Sequence, residues 1–320
     1  MASSSEIERD APPYIRSYKD GTIERLVGFA VAPAGLDPQT GVTSKDVVAI
    51  PETGVIVRLY RPSNLETGTE KLPLVVYFHG GAFCISSAFD PFYHGSLNRL
   101  AAEAKAIVAG VNFRNAPEHP LPTAYEDSWD VLQWVGSHSS GTGSEDWLNE
   151  NVDFSKVFLS GDSAGANISH HLAIRAGKSD PKFGLGFKGI VMIHPYFWGK
   201  EPIGVEITDP VRKSMVDNWW LFVCPSDKGC DDPLINPFLY GIEEELPWLA
   251  CGRILIFVAG NDILVERGRK YSEYLVQSRW QGKAEIVETP GEDHDFHIFA
   301  PDTDNARGLI KKWASFVNEV

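Results

Sequence analysis

Hydrophobic and polar positions alternate in blocks along most of the chain. From residue 71 onward, short runs that are apolar at almost every position are separated by longer segments of mixed polarity. Such runs are typical of strands that helices cover on both faces of a parallel sheet. The pattern predicts strands over 72–78, 107–113, 157–160, 189–194, 254–259 and 284–288, and helices over about 95–105, 124–138, 164–177, 265–280 and 304–318. A repeated strand–helix–strand order predicts an α/β fold with a mostly parallel, doubly wound central sheet flanked by helices.

Three segments depart from this block pattern. Residues 46–61 contain two β-type runs joined by a Glu-Thr-Gly turn, which predicts a hairpin. Residues 1–30 are polar with scattered aromatics and a Pro-Pro pair that breaks any long helix, so we expect an arm that packs onto the rest of the chain. Residues 196–250 are rich in Trp, Pro and Asp and are too long for a simple crossover. We therefore predict a single domain over 1–320, with a cap contributed by about 1–45 and 196–250.

The charge balance and the cysteine content narrow the class of protein. The 320 residues include 29 Lys and Arg against 43 Asp and Glu, a net charge of −14, without a local basic patch. Such a surface repels phosphate backbones and anionic lipids, so we expect neither nucleic acid nor membrane as a partner. No apolar stretch approaches the roughly 18 residues of a spanning helix, and the N-terminal segment lacks the apolar core of a signal peptide. With Cys84, Cys224, Cys230 and Cys251 expected to be free thiols, we predict a cytoplasmic protein.

A Gly-x-Ser-x-Gly pattern lies between a predicted strand and a predicted helix. Its members are Gly161, Ser163 and Gly165. In this context the pattern is typical of a nucleophile elbow, a turn so tight that the positions two before and two after the serine must be nearly free of side chain. The serine then projects from the sheet edge at a helix N-terminus, where the dipole favours developing negative charge. Ser163 is therefore the candidate nucleophile, the alternative being a glycine turn with an incidental serine.

His79-Gly80-Gly81 directly follows the predicted strand 72–78. A His-Gly-Gly sequence after an early strand is typical of the loop whose backbone N–H groups form an oxyanion hole. Glycine is required because the main chain itself must approach the substrate oxygen. The elbow further along the chain favours this interpretation over an ordinary glycine turn.

A nucleophilic serine needs a general base and a group that orients the base. Asp262 follows a predicted strand at its C-terminal end, where α/β sheets gather ligand-binding side chains. His294 follows the last predicted strand. The chain order Ser163, Asp262, His294 is that of α/β hydrolases. The alternatives at these positions are His297 for the base, and Asp231 and Asp232 for the carboxylate.

Together these motifs resemble the plant class I carboxylesterases, within the hormone-sensitive-lipase group of α/β hydrolases. The resembling stretches are HGGAF, GDSAGAN, the aspartate of AGNDILVERG and the histidine of EDHDFHIF, with YKDGTIERL, FRNAPEHPLPTAYEDSWDVLQWV, HPYFWGKEPIG and KKWASFVNEV beside them. The similarity covers nearly the whole chain. It implies an α/β-hydrolase fold whose N-terminal helices cap the site, and hydrolysis of small carboxylic esters.

The resemblance also implies roles for further residues. It favours His294 over His297, because the family's triad histidine precedes x-Phe. The implied oxyanion-hole residues are Gly80, which shapes the turn, and the N–H donors Gly81, Ala82 and Ala164. The expected chemistry is two-step acyl transfer to Ser163 from a small-molecule ester, with no metal and no organic cofactor. Activity should fall on the acid side near the ordinary histidine pKa of about 6.5.

Two kinds of relative share this fold without the hydrolysis. Gibberellin receptors lack the catalytic histidine, and isoflavanone dehydratases and some alkaloid cyclases carry out eliminations or rearrangements. Because the serine, aspartate and histidine are all present here, hydrolysis is favoured over a dehydratase or cyclase activity, and a receptor role is the least favoured. The candidate pocket residues, each of which could equally be packing, are Phe83, Ile85, Tyr125 and Trp219, with Phe89 and Trp220 beside them.

Overall fold

A central nine-stranded sheet organises the computed structural model, which describes residues 6–63, 71–179 and 184–319. Residues 1–5 of the predicted arm, and residues 64–70, 180–183 and 320 of the predicted domain, lie outside the described residues. The strands are β1 (Ile7–Ala11), β2 (Ile15–Tyr18), β3 (Ile23–Arg25), β4 (Leu36–Asp37), β5 (Val42–Ile50), β6 (Val55–Pro62), β7 (Leu72–Phe78), β8 (Ile107–Asn112), β9 (Val152–Asp162), β10 (Phe187–Ile193), β11 (Arg253–Ala259) and β12 (Lys283–Thr289).

Helices cover both faces of the sheet. They are α1 (Pro91–Ala104), α2 (Thr123–Ser137), α3 (Asp146–Asn151), α4 (Ala164–Lys178), α5 (Pro210–Val223), α6 (Ile242–Glu245), α7 (Val265–Gln277), α8 (Phe296–Phe299) and α9 (Asp304–Asn318). Short 3₁₀ helices lie at Gly204–Ile207, Gly229–Asp231, Pro237–Leu239 and Leu246–Trp248. Within the described ranges, no helix combines the length and the apolar character that crossing a bilayer requires.

The strand order is β12-β11-β10-β9-β7-β8-β6-β5-β4. Strands β7 to β12 run parallel to their neighbours in this group, and β6, β5 and β4 continue the sheet in antiparallel pairs. Each strand predicted from residue 71 onward has its counterpart here, and the predicted hairpin is the β5–β6 pair. The mostly parallel α/β sheet is thereby confirmed.

The apolar runs are buried on both faces, as β7 illustrates. Leu74 and Val76 point into a core layer that includes residues of α2, α4 and α7, whereas Val75 and Tyr77 point into a layer with residues of α1 and α9. All four side chains are at most 1% exposed. Successive strand residues point to opposite faces, so a strand between two helical layers needs an apolar residue at every position.

The N-terminal arm is built of strands, which corrects the expectation of capping helices. Strands β1, β2 and β3 form a separate three-stranded antiparallel sheet. The Pro12-Pro13 pair disfavours a helix at this point, because proline lacks an amide hydrogen and restricts the residue before it. In β2, Ile15 and Ser17 are buried and the residues beside them are half-buried, the two-residue period of a strand.

The arm and the segment 196–250 pack against each other above the sheet edge. Arg9 donates a hydrogen bond to the Leu221 carbonyl at 2.8 Å, and the Tyr14 and Trp219 rings lie 4.9 Å apart. The segment is fixed in turn to α7 by a buried bidentate ion pair, in which Arg267 donates to both Glu206 oxygens at 2.7 and 2.8 Å. We call these two segments together the cap, while the assignment of 1–320 to a single domain with a cap from about 1–45 and 196–250 stays a prediction.

Candidate active site

Ser163 lies at the turn where β9 ends and α4 begins. Its backbone has φ +50° and ψ −115°, a sparsely populated conformation for a residue with a side chain. A Cβ atom at Gly165 would overlap the Phe78 carbonyl, and one at Gly161 would lie 2.6 Å from the same oxygen. The turn therefore forms only with glycine at both positions, which is the steric requirement of a nucleophile elbow.

The loop after β7 is held by buried polar contacts. His79 stacks on Phe113 with ring centroids 4.2 Å apart, and its Nδ1 lies 2.7 Å from the Gly80 carbonyl. Burial lowers the pKa of His79 to about 4, so at neutral pH the ring is uncharged and Nδ1–H donates to that carbonyl. The Gly80 N–H donates to Asp162 Oδ1 at 3.0 Å, which fixes the loop to the residue before Ser163.

The predicted oxyanion-hole residues lie on this loop and at the start of α4. The Gly80 N–H donates to Asp162, and its role in shaping the turn stays a prediction. Gly81 and Ala82 line the cavity in left-handed conformations with φ +96° and +48°. Among the described residues, neither of their N–H groups has a hydrogen-bond acceptor. Ala164 is the first residue of α4, adjacent to Ser163.

Asp262 and His294 are brought together although they lie 32 residues apart. Asp262 follows β11 and is 1% exposed, and its Oδ2 lies 2.7 Å from His294 Nδ1. The Leu264 N–H donates to the other carboxylate oxygen at 2.9 Å, which fixes the orientation of the carboxylate. This is the arrangement of a base and its orienting carboxylate.

The alternative residues lie elsewhere. His297 is 1% exposed and does not line the cavity, and both of its ring nitrogens lack a hydrogen-bond partner among the described residues. Asp231 accepts hydrogen bonds from Lys200 and Asn236 within the cap segment. Asp232 accepts one from the Leu234 N–H in the same segment.

The second ring nitrogen of His294 faces another carboxylate. His294 Nε2 lies 3.2 Å from Asp295 Oδ2, whereas no hydrogen bond of the described residues joins His294 to Ser163. Burial lowers the pKa of His294, but the charges of Asp262 and Asp295 outweigh it and raise the pKa to about 10. The pKa of His294 is therefore higher than the ordinary histidine value of about 6.5 that the sequence-based expectation used.

His194, His294 and Asp295 place one ligand atom each within 4.8 Å of one another, the donor set of a candidate metal group. In this structure the Asp295 carboxylate contacts both histidines. Asp295 Oδ1 lies 3.1 Å from His194 Nδ1, and its Oδ2 lies 3.2 Å from His294 Nε2.

A cavity of about 650 Å³ joins these groups beneath the cap. Ser163, Asp262 and His294 line it, as do the predicted wall residues Ile85 and Trp219. The other predicted wall residues, Phe83, Tyr125, Phe89 and Trp220, do not line it.

Phe83 and Tyr125 form a layer behind the cavity wall. The Phe83 ring is fully buried and lies 5.6 Å from the Tyr125 ring and 6.2 Å from the Trp220 ring. Tyr125 is turned away because its hydroxyl donates to Asn167 at 2.7 Å. Phe83 was predicted to line the cavity because it lies next to the HGG motif in sequence. In the structure it packs behind the residues that line the cavity.

Sequence reasoning missed the wall that the arm contributes. Tyr14, Val27 and Gly28 of the arm line the cavity, together with Arg212 and Met215 of α5. No motif marks these residues, and only the aromatic content of the two segments indicated a cap. Other lining residues that the sequence did not single out are Ser86, Asp90, Phe92, Tyr93, Tyr196, Val216, Ile263, Leu264, Asp293, Asp295, Ile298 and Phe299.

The sequence is similar to known plant proteins over its full length. A family model described as alpha/beta hydrolase fold matches residues 75–298. "Probable carboxylesterase 2" of Arabidopsis thaliana is 53% identical over 319 residues, which cover 100% of this chain and 99% of that protein. "2-hydroxyisoflavanone dehydratase" of Glycyrrhiza echinata is 43% identical, with 98% of this chain and 97% of that protein covered.

Solved esterase structures share the fold. A hyperthermophilic esterase from the archaeon Pyrobaculum calidifontis superposes with a TM-score of 0.69 at 26% identity, covering 89% of this chain and 86% of that chain. Carboxyl esterase 2 of the fungus Tuber melanosporum superposes with a TM-score of 0.71 at 22% identity, covering 89% of each chain, a likeness of fold alone.

Proposed function

The chain belongs to the α/β-hydrolase family, in its plant carboxylesterase group, and is a carboxylic ester hydrolase; we propose that Ser163, His294 and Asp262 carry out the hydrolysis through an acyl-enzyme. The observation that carries this proposal is the strained Ser163 turn in the same cavity as the 2.7 Å His294–Asp262 pair. A backbone strain of this kind is retained where a side chain must be held in one orientation.

The proposed reaction has two steps. Ser163 Oγ forms a bond to the acyl carbon while its proton passes to His294 Nε2, and Asp262 stabilises the resulting imidazolium at Nδ1. The bond to the alcohol oxygen then breaks, and His294 returns the proton to that oxygen. A water oxygen, deprotonated by the same nitrogen, then forms a bond to the acyl carbon. The bond from that carbon to Ser163 Oγ breaks, and His294 returns the proton to Ser163 as the acid leaves.

The backbone N–H groups of Gly81, Ala82 and Ala164 are the proposed donors to the oxyanion. The open amides of the first two in the cavity wall support this assignment. Removal of one oxyanion donor costs about 10²–10³ in kcat in comparable sites. Gly80 acts indirectly, by fixing the loop to Asp162.

The cavity favours small neutral esters with apolar groups. Its wall is mostly apolar and includes Val27, Ile85 and Met215. The charged residues that line the cavity are one arginine, Arg212, and four aspartates, Asp90, Asp262, Asp293 and Asp295. Arg212 already donates a hydrogen bond to Asp293 at 2.9 Å. An ester that carries a free carboxylate would meet this negative potential.

We also propose a cytoplasmic location, with a small-molecule ester as substrate and neither nucleic acid nor membrane as a partner. The four cysteines, which are unpaired and buried, support a reducing compartment. Two relatives at 43% and 44% identity are named mitochondrial and chloroplastic. Fractionation of cells that express the full natural chain tests the location.

Turnover of p-nitrophenyl acetate and butyrate by the wild type, Ser163→Ala and Ser169→Ala tests the assignment. Ser169 lies on α4 and donates to the Gly165 carbonyl, so its variant controls for loss of a buried hydroxyl. We expect Ser163→Ala to fall to the buffer rate and to lose the single organophosphate adduct seen by intact mass. The mono-p-nitrophenyl ester of succinate should react more slowly than the butyrate. A Ser163→Ala variant that still turns over and is still labelled contradicts the proposal, and a product lacking the added water favours an elimination.

A further inference from the structure

Two carboxylates contact the imidazole of His294, one at each nitrogen. Asp262 lies 2.7 Å from Nδ1, as an orienting carboxylate should, and Asp295 lies 3.2 Å from Nε2. Nε2 is the atom that must take the Ser163 proton. We propose that Asp295 is a positioning residue that holds His294 as an imidazolium through Nε2 and thereby sets the pH above which the enzyme works. This inference rests on the proposed function.

The Asp295 carboxylate is fixed in place. Its backbone is left-handed with φ +52°, and its N–H donates to His194 Nδ1 at 3.0 Å. Its Oδ1 also lies 3.1 Å from the same nitrogen, and the residue is only 4% exposed. The carboxylate therefore cannot turn out into water, and its second oxygen stays against His294.

A second buried carboxyl group keeps the charge on Asp295. The two carboxyl groups interact electrostatically, so the ionisation of one disfavours the ionisation of the other. Burial and the charge of Asp295 raise the pKa of Asp162. Burial acts in the same direction on Asp295, but the neighbouring charge of His294 outweighs it and lowers the pKa of that carboxyl. The negative charge thus resides beside Nε2.

The other titratable groups packed around this pair are two tyrosines, two histidines and an arginine. Tyr77 and Tyr93 donate to Asp162, and burial raises the pKa of both hydroxyls, so they stay neutral. Burial lowers the pKa of His297 to about 3. His194 contacts Asp295 as described, and Arg212, the one arginine lining the cavity, is hydrogen-bonded to Asp293. Within the described residues, His294 is the histidine whose ring contacts both Asp262 and Asp295, one at each nitrogen.

The protonation of His294 then decides which group Nε2 contacts. In the imidazolium, Nε2–H donates to Asp295, and no lone pair is available for the serine. When the proton leaves to solvent, Nε2 becomes an acceptor for the Ser163 hydroxyl. The His294 side chain is 30% exposed, so water at its edge screens the carboxylates. We expect the acid limb of the wild-type profile between the ordinary value of about 6.5 and the pKa of about 10.

The test is the pH dependence of kcat/KM from pH 5.5 to 10.5 for the wild type, Asp295→Asn and Glu292→Gln, all in EDTA. Asparagine tolerates the left-handed backbone of position 295 and removes only the charge. Glu292 belongs to the same loop but contacts Asn305 and not His294, so its variant controls for loss of a nearby carboxylate. Thermal unfolding of each variant checks folding, and Asp295→Gly is the second variant for the same φ.

We expect Asp295→Asn to move the acid limb down by at least about one pH unit, the usual effect of a charge at this distance. Its kcat/KM at pH 7 should then exceed that of the wild type about tenfold, and Glu292→Gln should follow the wild type. An unmoved limb in folded Asp295→Asn or Asp295→Gly overturns the inference, as does a wild-type limb near 6.5. Activity that is absent or independent of Ser163 at every pH instead overturns the proposed function.

Discussion

The nucleophile elbow and the cap wall are two sides of one cavity, but their geometry has different origins. At the elbow, the two required glycines, Gly161 and Gly165, lie within five consecutive residues and allow the turn to approach the backbone carbonyl of Phe78. At the cap, contacts join residues far apart in the chain, such as Arg9 and Leu221, 212 positions from each other. Backbone sterics thus fix the position of Ser163, the proposed nucleophile, whereas side-chain contacts between distant segments fix the space around it.

We therefore expect the elbow to govern the chemical step and the cap wall to govern which substrates bind. A serine held by its backbone keeps its position when surface side chains change. A wall built from an arm and an inserted segment can change its side chains without moving the serine. The two regions should therefore respond differently to mutation, the elbow through rate and the cap through stability or KM.

The strongest test of the elbow is Gly165→Ala. The added Cβ would overlap the Phe78 carbonyl, so β7, Ser163 or the start of α4 must shift. We expect activity to fall by at least about 10²-fold, because a displacement near 1 Å at a reacting atom has that cost. Overpacking should also lower the free energy of unfolding by about 3 kcal/mol. Activity assays and urea denaturation measure both effects.

Gly95→Ala is the matched control for that substitution. Gly95 lies in α1, and a Cβ atom there would have no neighbour within 4 Å. Alanine should leave activity unchanged and raise stability by about 0.5–1 kcal/mol, because it restricts the unfolded chain more than glycine does. A Gly165→Ala variant that behaves like Gly95→Ala would refute the steric account of the elbow.

The same contrast explains what the sequence could predict. The apolar runs of the parallel sheet were recognisable because a strand buried on both faces has almost no polar positions. The elbow was recognisable because its steric requirement leaves glycines at fixed spacing. Asp262 and His294 were found from their positions after predicted strands, and the structure places them 2.7 Å apart. Their catalytic roles stay a proposal.

The features that the sequence did not predict depend on tertiary packing, which leaves no local sequence pattern. The arm was expected as helices because of a family resemblance, yet its side chains follow the two-residue period of β2. Phe83 was chosen for its place beside the oxyanion loop, but the aromatic layer behind the cavity holds its ring. Asp295 is adjacent to His294 in sequence, and only the left-handed turn brings its carboxylate back onto Nε2.

The anchor of the cap is tested by Glu206→Gln. Glu206 and Arg267 are both at most 3% exposed, so the variant leaves a buried guanidinium without its counter-charge. We expect a loss of about 3 kcal/mol in the free energy of unfolding, while kcat below the unfolding temperature changes little. Glu126→Gln removes a partly exposed ion pair with Arg175 and should cost less than about 1 kcal/mol. Equal destabilisation by the two variants would show that the pair does not anchor the cap.

The smallest effect should come from the wall itself, in Trp219→Ala. Trp219 lines the cavity and contacts Tyr14 of the arm with ring centroids 4.9 Å apart. Loss of this apolar surface should raise KM for p-nitrophenyl butyrate about tenfold, equivalent to about 1.4 kcal/mol, with kcat within about threefold. Trp248→Ala, a change at a half-exposed tryptophan outside the cavity wall, is the control.

The increase in KM for the double variant Trp219→Ala with Tyr14→Ala should be less than additive, because each single variant removes the same contact between the arm and the inserted segment. Additive effects on KM, or a loss confined to kcat, would mean that the arm and the inserted segment do not form the substrate wall together.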